Sequence, residues 1–448
     1  MPKELTLTKR RAIDGAAIDL PGSKSITNRA LLLAALSDNF VDLTGVLDSE
    51  DTRHMLSALG DLGVKISENR DGSLRIQGCR GRFPAAYAHL FLGNAGTAMR
   101  PLAAALAFQK EGAEYALDGV ERMRMRPIGD LVDALRSVGA DVDYSMNVGY
   151  PPLLIKPFVD NNERIVVING GISSQFLTSL LMALPITGAE REVRVRGKLI
   201  SKPYVDVTLR LMKRFGARVE NDNFERFVLP AGQSYHAPSR FFIESDASSA
   251  SYFAAAAFMS GSSLTLKGLG RNSIQGDARF VEILARLGAD VRYDGDRSVT
   301  VTGPRGGVIP AFDVDALEIP DAAMTLAIVA LKAQGTSRIR NIASWRVKET
   351  DRIAAMKTEL EKLGARVEAD DDSIAIEPPS GGKLNNLRRI ETYDDHRMAM
   401  CFALVSLLGA DVVIVEPDCV RKTYPNFFDD FEAATEPLPG GPESDRFL

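Results

Sequence analysis

One arrangement of elements recurs six times along this chain, and that recurrence limits the fold more than any single residue does. Six short alternating runs each end in a turn residue: VDLTG at Gly45, YALDG at Gly119, VRVRG at Gly197, LTLKG at Gly268, SRIRN at Asn341 and VVIVEP at Pro417. Successive turn residues lie 71 to 78 residues apart. Period-two alternation of this kind predicts strands. A polar loop and an amphipathic helix follow each run. Five of these helices stop at a glycine, Gly63, Gly139, Gly216, Gly288 and Gly364, before a new strand. Glycine just past the last turn is the usual helix stop. A turn-rich hairpin then leads to a second helix: SITNRALLLAALS, NAGTAMRPLAAALA, SSQFLTSLLMALP, SSASYFAAAAFMS, DAAMTLAIVALKA or DDHRMAMCFALVSLLG. These are apolar nearly all round after their first turns, which predicts burial. Repeats this long bury cores of their own and do not form a thin solenoid.

The sixth unit is incomplete, and its chain runs on into a Pro/Gly-rich tail from Pro437 to Pro442. The missing hairpin is expected at the start, in LTLTKRR and IDGAAIDLP, so that both termini complete one unit. Six units then divide three and three. One domain is expected over 23–243, and the other over 1–22 with 244–448, with a hinge near 22 and 244. Clefts between domains commonly enclose ligands.

With 448 residues the chain can build two such cores. A net charge of −5 argues against broad nucleic-acid binding, so any anion site must be local. The three cysteines show no metal or redox spacing, and the four histidines are scattered. The start, MPKELTLTKR, lacks the apolar core of a signal peptide, and no apolar run reaches a membrane span. A cytoplasmic protein is expected, with no membrane or nucleic-acid partner and no metal.

The candidate chemistry lies at the helix starts. LPGSKSITNR breaks a strand at Pro21-Gly22 and places Ser23 where it can cap a helix, with Lys24, Ser25, Thr27 and Arg29 in the first turns. A helix N-terminus offers free N–H groups and partial positive charge to an anion. The equivalent first turns hold Asn94, Gly96 and Thr97; Ser173, Ser174 and Gln175; Asp246; Asp321; and Asp395, His396 and Arg397. The loops add Arg122, Arg124, Arg126, Ser201, Lys202, Tyr204, Arg271, Arg346, Lys348, Arg352, Arg421 and Lys422. So many cations near helix starts suit a substrate with several phosphates or carboxylates. Among them Asp321, Glu349, Asp351 and Asp395 supply carboxylates for proton transfer. Cys419 reads as an inert thiol, and Trp345 as core.

The stretches PGSKSITNRALLLAAL, LFLGNAGTAMRPL, SSQFLTSLLMALP, SKPYVD, DASSASYF, GRNSIQGD, IPDAAMT, WRVKETDR, DDHRMAM and KTYPNFF resemble the 5-enolpyruvylshikimate-3-phosphate synthases, and the glyphosate-sensitive type in LGNAGTAMRP. The resemblance implies an α/β fold of the enolpyruvyl transferase kind: a two-domain inside-out α/β barrel of six βαβαββ repeats, three per domain. It implies transfer of the enolpyruvyl group of phosphoenolpyruvate to the 5-hydroxyl of shikimate 3-phosphate, with release of phosphate and no cofactor. Carried over by motif, Lys24, Ser25, Arg29, Ser173, Ser174, Gln175, Ser201, Tyr204, Asp321 and Lys348 seat shikimate 3-phosphate. Lys24, Gly96, Arg122, Gln175, Arg352, Arg397 and Lys422 seat phosphoenolpyruvate, or glyphosate in its place. Lys24, Asp321 and Glu349 form the proton-transfer set, supported by Asn94, Thr97, Ser344 and His396. Ser344 departs from the family, where many members carry asparagine.

The expected chemistry is addition and elimination through a tetrahedral adduct. Asp321 accepts the hydroxyl proton, and either Glu349 or Lys24 exchanges a proton with the methylene carbon. Three rival readings remain: a UDP-N-acetylglucosamine enolpyruvyl transferase, a cyclase of RNA 3′-phosphates, and an anion-binding protein without catalysis.

Overall fold

A computed structural model of the chain describes residues 3–109, 112–304 and 306–438. It divides into two compact units, one of 1–21 with 245–448 and one of 22–244.

In the unit 22–244 three four-stranded sheets share one topology. In the second repeat, Tyr87–Phe91 lies parallel to Glu114–Asp118, which is antiparallel to Leu153–Lys156, itself antiparallel to Asp141–Tyr144. The third repeat repeats this order with Ile165–Asn169, Arg191–Arg196, Arg226–Leu229 and Glu220–Asp222. Each parallel pair is bridged by an apolar helix, Gly96–Leu106 in the second repeat and Ser174–Ala183 in the third. These two helices pack on each other, and the first packs also on Lys24–Leu36. Helices form the core and sheets the outside, because the strands alternate buried and exposed residues while the helices are buried almost all round.

The unit of 1–21 with 245–448 is built the same way around the helices Ala247–Ser260, Ala323–Val329 and His396–Ala403. Its sixth sheet is closed by the N-terminus. Glu4–Leu7 runs antiparallel to Val412–Val415, and Arg10–Ala12 antiparallel to Thr435–Pro437. Of the Pro/Gly-rich tail, 439–442 lie outside the described residues.

Two local expectations are corrected. IDGAAIDLP does not complete the sixth sheet: Ala16–Asp19 lies parallel to Ser263–Lys267, in the fourth. Every buried helix needs a strand parallel to the one after it, and the turn at Asp14–Gly15 redirects the chain into that slot. The counterpart is Arg240–Phe242, which pairs in parallel with Phe40–Thr44. Ser23 stands at the start of Lys24–Leu36, but its hydroxyl is buried and makes no capping bond. The backbone oxygen of Ser23 instead accepts from Thr27 N–H at 2.8 Å.

The five helix-stopping glycines all take positive φ, from 81° at Gly63 to 110° at Gly288, a region that side-chain-bearing residues reach only at a cost. Among the described residues no helix is long and apolar enough to cross a membrane.

Candidate active site

In the unit of 1–21 with 245–448, the proposed residues meet around one arginine. Asp351 caps the helix Arg352–Lys362 by accepting from Ala354 N–H at 3.1 Å, which fixes Arg352 at its first position. Arg352 is 1% exposed, and its guanidinium joins three carboxylates. Nε donates to Asp395 Oδ2 at 2.7 Å and Nη2 to Asp395 Oδ1 at 3.2 Å, Nη1 to Asp321 Oδ1 at 3.0 Å, and Nη2 to Glu349 Oε2 at 2.8 Å. Burial alone would lower this guanidinium, but Asp395, Glu349 and Asp321 outweigh it and raise it, so the charge is held. A buried ion cluster is stable only with its hydrogen bonds satisfied, and these contacts are bonded in fork geometry.

More cations close on the same carboxylates. Arg397 Nη2 donates to Asp321 Oδ2 at 3.0 Å, and Lys348 Nζ lies 3.4 Å from Asp321 Oδ1. Lys422 Nζ is 3.8 Å from Glu349 Oε1. Asp395 accepts from Arg397 N–H at 2.9 Å and so caps the helix that carries Arg397. Asp321, by contrast, precedes its helix and does not cap it; both its oxygens go to side-chain cations. The neighbouring turn is fastened by Trp345, fully buried, whose indole N–H donates to Pro320 O at 2.7 Å. Ser344 is buried on the same short helix, Ala343–Val347, and His396 is buried with Nδ1 3.7 Å from Asp395 Oδ1.

In the unit 22–244 the proposed residues form smaller groups at helix starts. Lys24 Nζ lies 3.1 Å from Asp51 Oδ2, with both side chains buried. Arg29 donates from Nε to Thr208 Oγ1 at 2.8 Å and from Nη1 to Ser25 O at 2.9 Å. Burial lowers the Arg29 guanidinium to about 10, opposed by Tyr204, so it stays charged at neutral pH. Ser201, at φ 53°, starts the helix Lys202–Arg214, and its carbonyl accepts from Tyr204 N–H at 3.1 Å. Ser173 caps Ser174–Ala183 by accepting from Gln175 N–H at 3.2 Å. Asn94 accepts from Arg126 Nη1 through O at 2.9 Å and Oδ1 at 3.0 Å, Thr97 Oγ1 accepts from Asn28 Nδ2 at 2.7 Å, and Arg122 precedes the short helix Met123–Met125. A Cβ on Gly96 would lie 2.6 Å from Arg100 Nη1 and 2.7 Å from Arg126 Nη2, so the bare backbone leaves two guanidinium ends room.

Sequence reasoning missed Asp51, Asn28, Thr208 and Tyr252. Tyr252 donors and acceptors matter here because its hydroxyl accepts from Arg397 Nη1 at 3.1 Å. A polar group four residues after Ser248 on an apolar helix was the signal available for it. The Cys419 thiol is pushed up to about 12 by burial, which leaves it protonated and a poor nucleophile.

Residues 7–431 match the family model described as EPSP synthase (3-phosphoshikimate 1-carboxyvinyltransferase). A 3-phosphoshikimate 1-carboxyvinyltransferase of Neisseria gonorrhoeae is 55% identical over 421 residues, covering 94% of this chain and 96% of the relative. One of Burkholderia cenocepacia is 55% identical over 420 residues, covering 93% and 96%. Among solved structures, EPSP synthase from Acinetobacter baumannii superposes with a TM-score of 0.78 at 25% identity, over 97% of this chain and 99% of that one. The enolpyruvyl transferase NikO from Streptomyces tendae shares the fold, with a TM-score of 0.74 at 16% identity over 97% and 99% of the two chains. The enolpyruvyl transferase fold is thereby shown, and the three rival readings are not favoured. With the match running through every motif that supplies the clustered cations and carboxylates, the chain belongs to the EPSP synthase (3-phosphoshikimate 1-carboxyvinyltransferase) family.

Proposed function

We propose that the 1-carboxyvinyl transfer of this family, from phosphoenolpyruvate to shikimate 3-phosphate, is performed here by the residues clustered above. The observation that carries the assignment is the buried Arg352, which binds Asp321, Glu349 and Asp395 at once while Arg397, Lys348 and Lys422 approach the same oxygens. Ser25, Arg29, Ser173, Ser174, Gln175, Ser201, Tyr204 and Lys348 bind shikimate 3-phosphate. Lys24, Gly96, Arg122, Gln175, Arg352, Arg397 and Lys422 bind phosphoenolpyruvate, and glyphosate competes there. Asn94, Thr97, Ser344 and His396 support these groups. The chain acts as a cytoplasmic monomer.

The steps follow from charge. The 5-hydroxyl oxygen attacks C2 of phosphoenolpyruvate while its proton passes to Asp321. The methylene carbon takes a proton from Lys24 or Glu349 to become methyl. The tetrahedral adduct then expels phosphate as the methyl returns a proton. Two polyanions are brought together, and fixed cations offset that repulsion without reorganising, a large term in catalysis of this kind. Four of the five N–H bonds of Arg352 are already committed to carboxylates, so an incoming anion meets it through the remaining Nη1 hydrogen or displaces a carboxylate oxygen.

Glu349→Gln keeps the shape and removes the proton carrier. Turnover followed by phosphate release should fall by about two to four orders of magnitude, with shikimate 3-phosphate binding nearly unchanged. Turnover close to wild type would remove Glu349 from the proton-transfer set.

A further inference from the structure

Two of the contacts from the helix Arg352–Lys362 to the segment carrying Asp395 and Arg397 are made by Arg352 and Glu359. Glu359 lies seven residues on and so on the same face, about 10 Å along the axis. Glu359 is fully buried. Its Oε1 accepts from the Tyr393 hydroxyl at 2.7 Å, its Oε2 accepts from Glu391 N–H at 3.2 Å, and Lys362 Nζ lies 2.7 Å from Oε2. Burial, and then the Glu359 carboxylate, push the Tyr393 phenol upward, so it stays protonated and donating.

What Glu359 grips is a strained turn. Tyr393 and Asp394 are consecutive residues with left-handed backbone, φ 55° and 53°. This conformation is disfavoured for an L-residue, and aspartate tolerates it better than tyrosine does. It persists only where the surroundings impose it. Through this pair the chain leaves the strand Arg388–Ile390 and enters the helix His396–Ala403, which sets where Asp395 and Arg397 point. Further along, Asp395 N–H donates to Thr392 O at 2.9 Å, and Thr392 Oγ1 donates to Val415 O at 2.8 Å. Those two bonds fix the turn's base, and Glu359 holds the outer side.

We propose that Glu359 is a positioning residue for the transfer reaction: by holding the left-handed Tyr393–Asp394 pair, it keeps Arg397 and Asp395 oriented toward Asp321 and Arg352. This rests on the reading that Arg397 and Asp321 meet the substrates.

The test compares Glu359→Leu, Tyr393→Phe, their double variant and Tyr393→Gly in steady-state assays with both substrates. Either single variant should raise KM for phosphoenolpyruvate about ten- to a hundredfold. The double should be no worse than the worse single, because both remove one contact. Tyr393→Gly also lacks the phenol, yet glycine adopts left-handed backbone freely, so it should stay within about threefold of wild type. A merely structural tyrosine predicts the opposite order, with glycine worse than phenylalanine. That order, or single variants with unchanged KM beside an active wild type, overturns the positioning role alone. A wild type that releases no phosphate overturns the functional reading and this role with it.

Discussion

Asp277 is buried beside Ser248, whose hydroxyl donates to its Oδ2. Burial and then Asp321 hold its carboxyl up at about 6, against an ordinary 3.8. The folded chain therefore keeps a proton that the unfolded chain has released between those values. That contribution to stability is complete below about 3.8 and lost as pH rises through about 6. Asp277→Asn cannot ionise, so its unfolding free energy, from urea titrations, should gain on wild type from pH 4 to 7, on the order of 2–3 kcal/mol. A difference that does not change with pH would refute the ionisation of Asp277 as the cause. Gly96 is the other residue whose replacement is informative. An alanine methyl meets Arg100 and Arg126 ends before open space, and both must shift. Gly96→Ala should weaken glyphosate inhibition more than it raises KM for phosphoenolpyruvate, yet raise both, since the displaced guanidiniums border the same backbone. Equal factors would remove the close-approach argument.

The elements were the most legible part of the chain, because helix stops are chemical. The glycines after the amphipathic helices were readable in LGVKI, VGADV and FGARV, and each takes positive φ. The same glycines differ in what surrounds them. A Cβ on Gly139 would lie 2.0 Å from Val159 O and 3.0 Å from Asn161 N, whereas at Gly216 the nearest atom is His236 N at 3.3 Å. Both would carry left-handed strain of about 1–2 kcal/mol. Only Gly139→Ala adds a backbone clash, a further ~1–3 kcal/mol. Both lie in the unit 22–244, so their urea midpoints are directly comparable; equal losses would show that strain alone decides. Apart from the strand that Pro21-Gly22 ends, the parallel strands before the buried helices were not legible, being short and half-exposed: Arg240–Phe242 has three residues and Asp313–Asp315 three. The site was legible as residue types at helix starts, and illegible as pairings. Lys24 finds Asp51 and Arg397 finds Tyr252 by folding, and no local pattern announces either partner.

At the scale of the molecule, the chain's two passages between units come at Pro21–Gly22 and Glu244–Ser245. Each passage follows a strand that stays behind: Ala16–Asp19 in the fourth sheet, and Arg240–Phe242 in the first. The helix that comes next in sequence belongs in each case to the other unit. Backbone bonds fix each end, Ser23 N–H to Glu244 O at 2.9 Å and Asp246 N–H to Pro21 O at 2.8 Å. Two crossings so close together are where a hinge is expected. The proposed residues are also divided: Lys24, Arg29 and Gly96 belong to 22–244, and Asp321, Glu349 and Arg397 to the other unit. Neither set holds both the shikimate-phosphate seat and the proton acceptor. A reaction that needs both, and that loses efficiency when water enters, calls for closure on the substrate. We therefore expect shikimate 3-phosphate to lower the radius of gyration in small-angle scattering. Arg29→Ala, which removes part of the phosphate seat, should need far more ligand for the same change. A radius unchanged at saturating ligand in the wild-type chain would mean that the two sets act without closure, and the hinge assignment at 22 and 244 would fall.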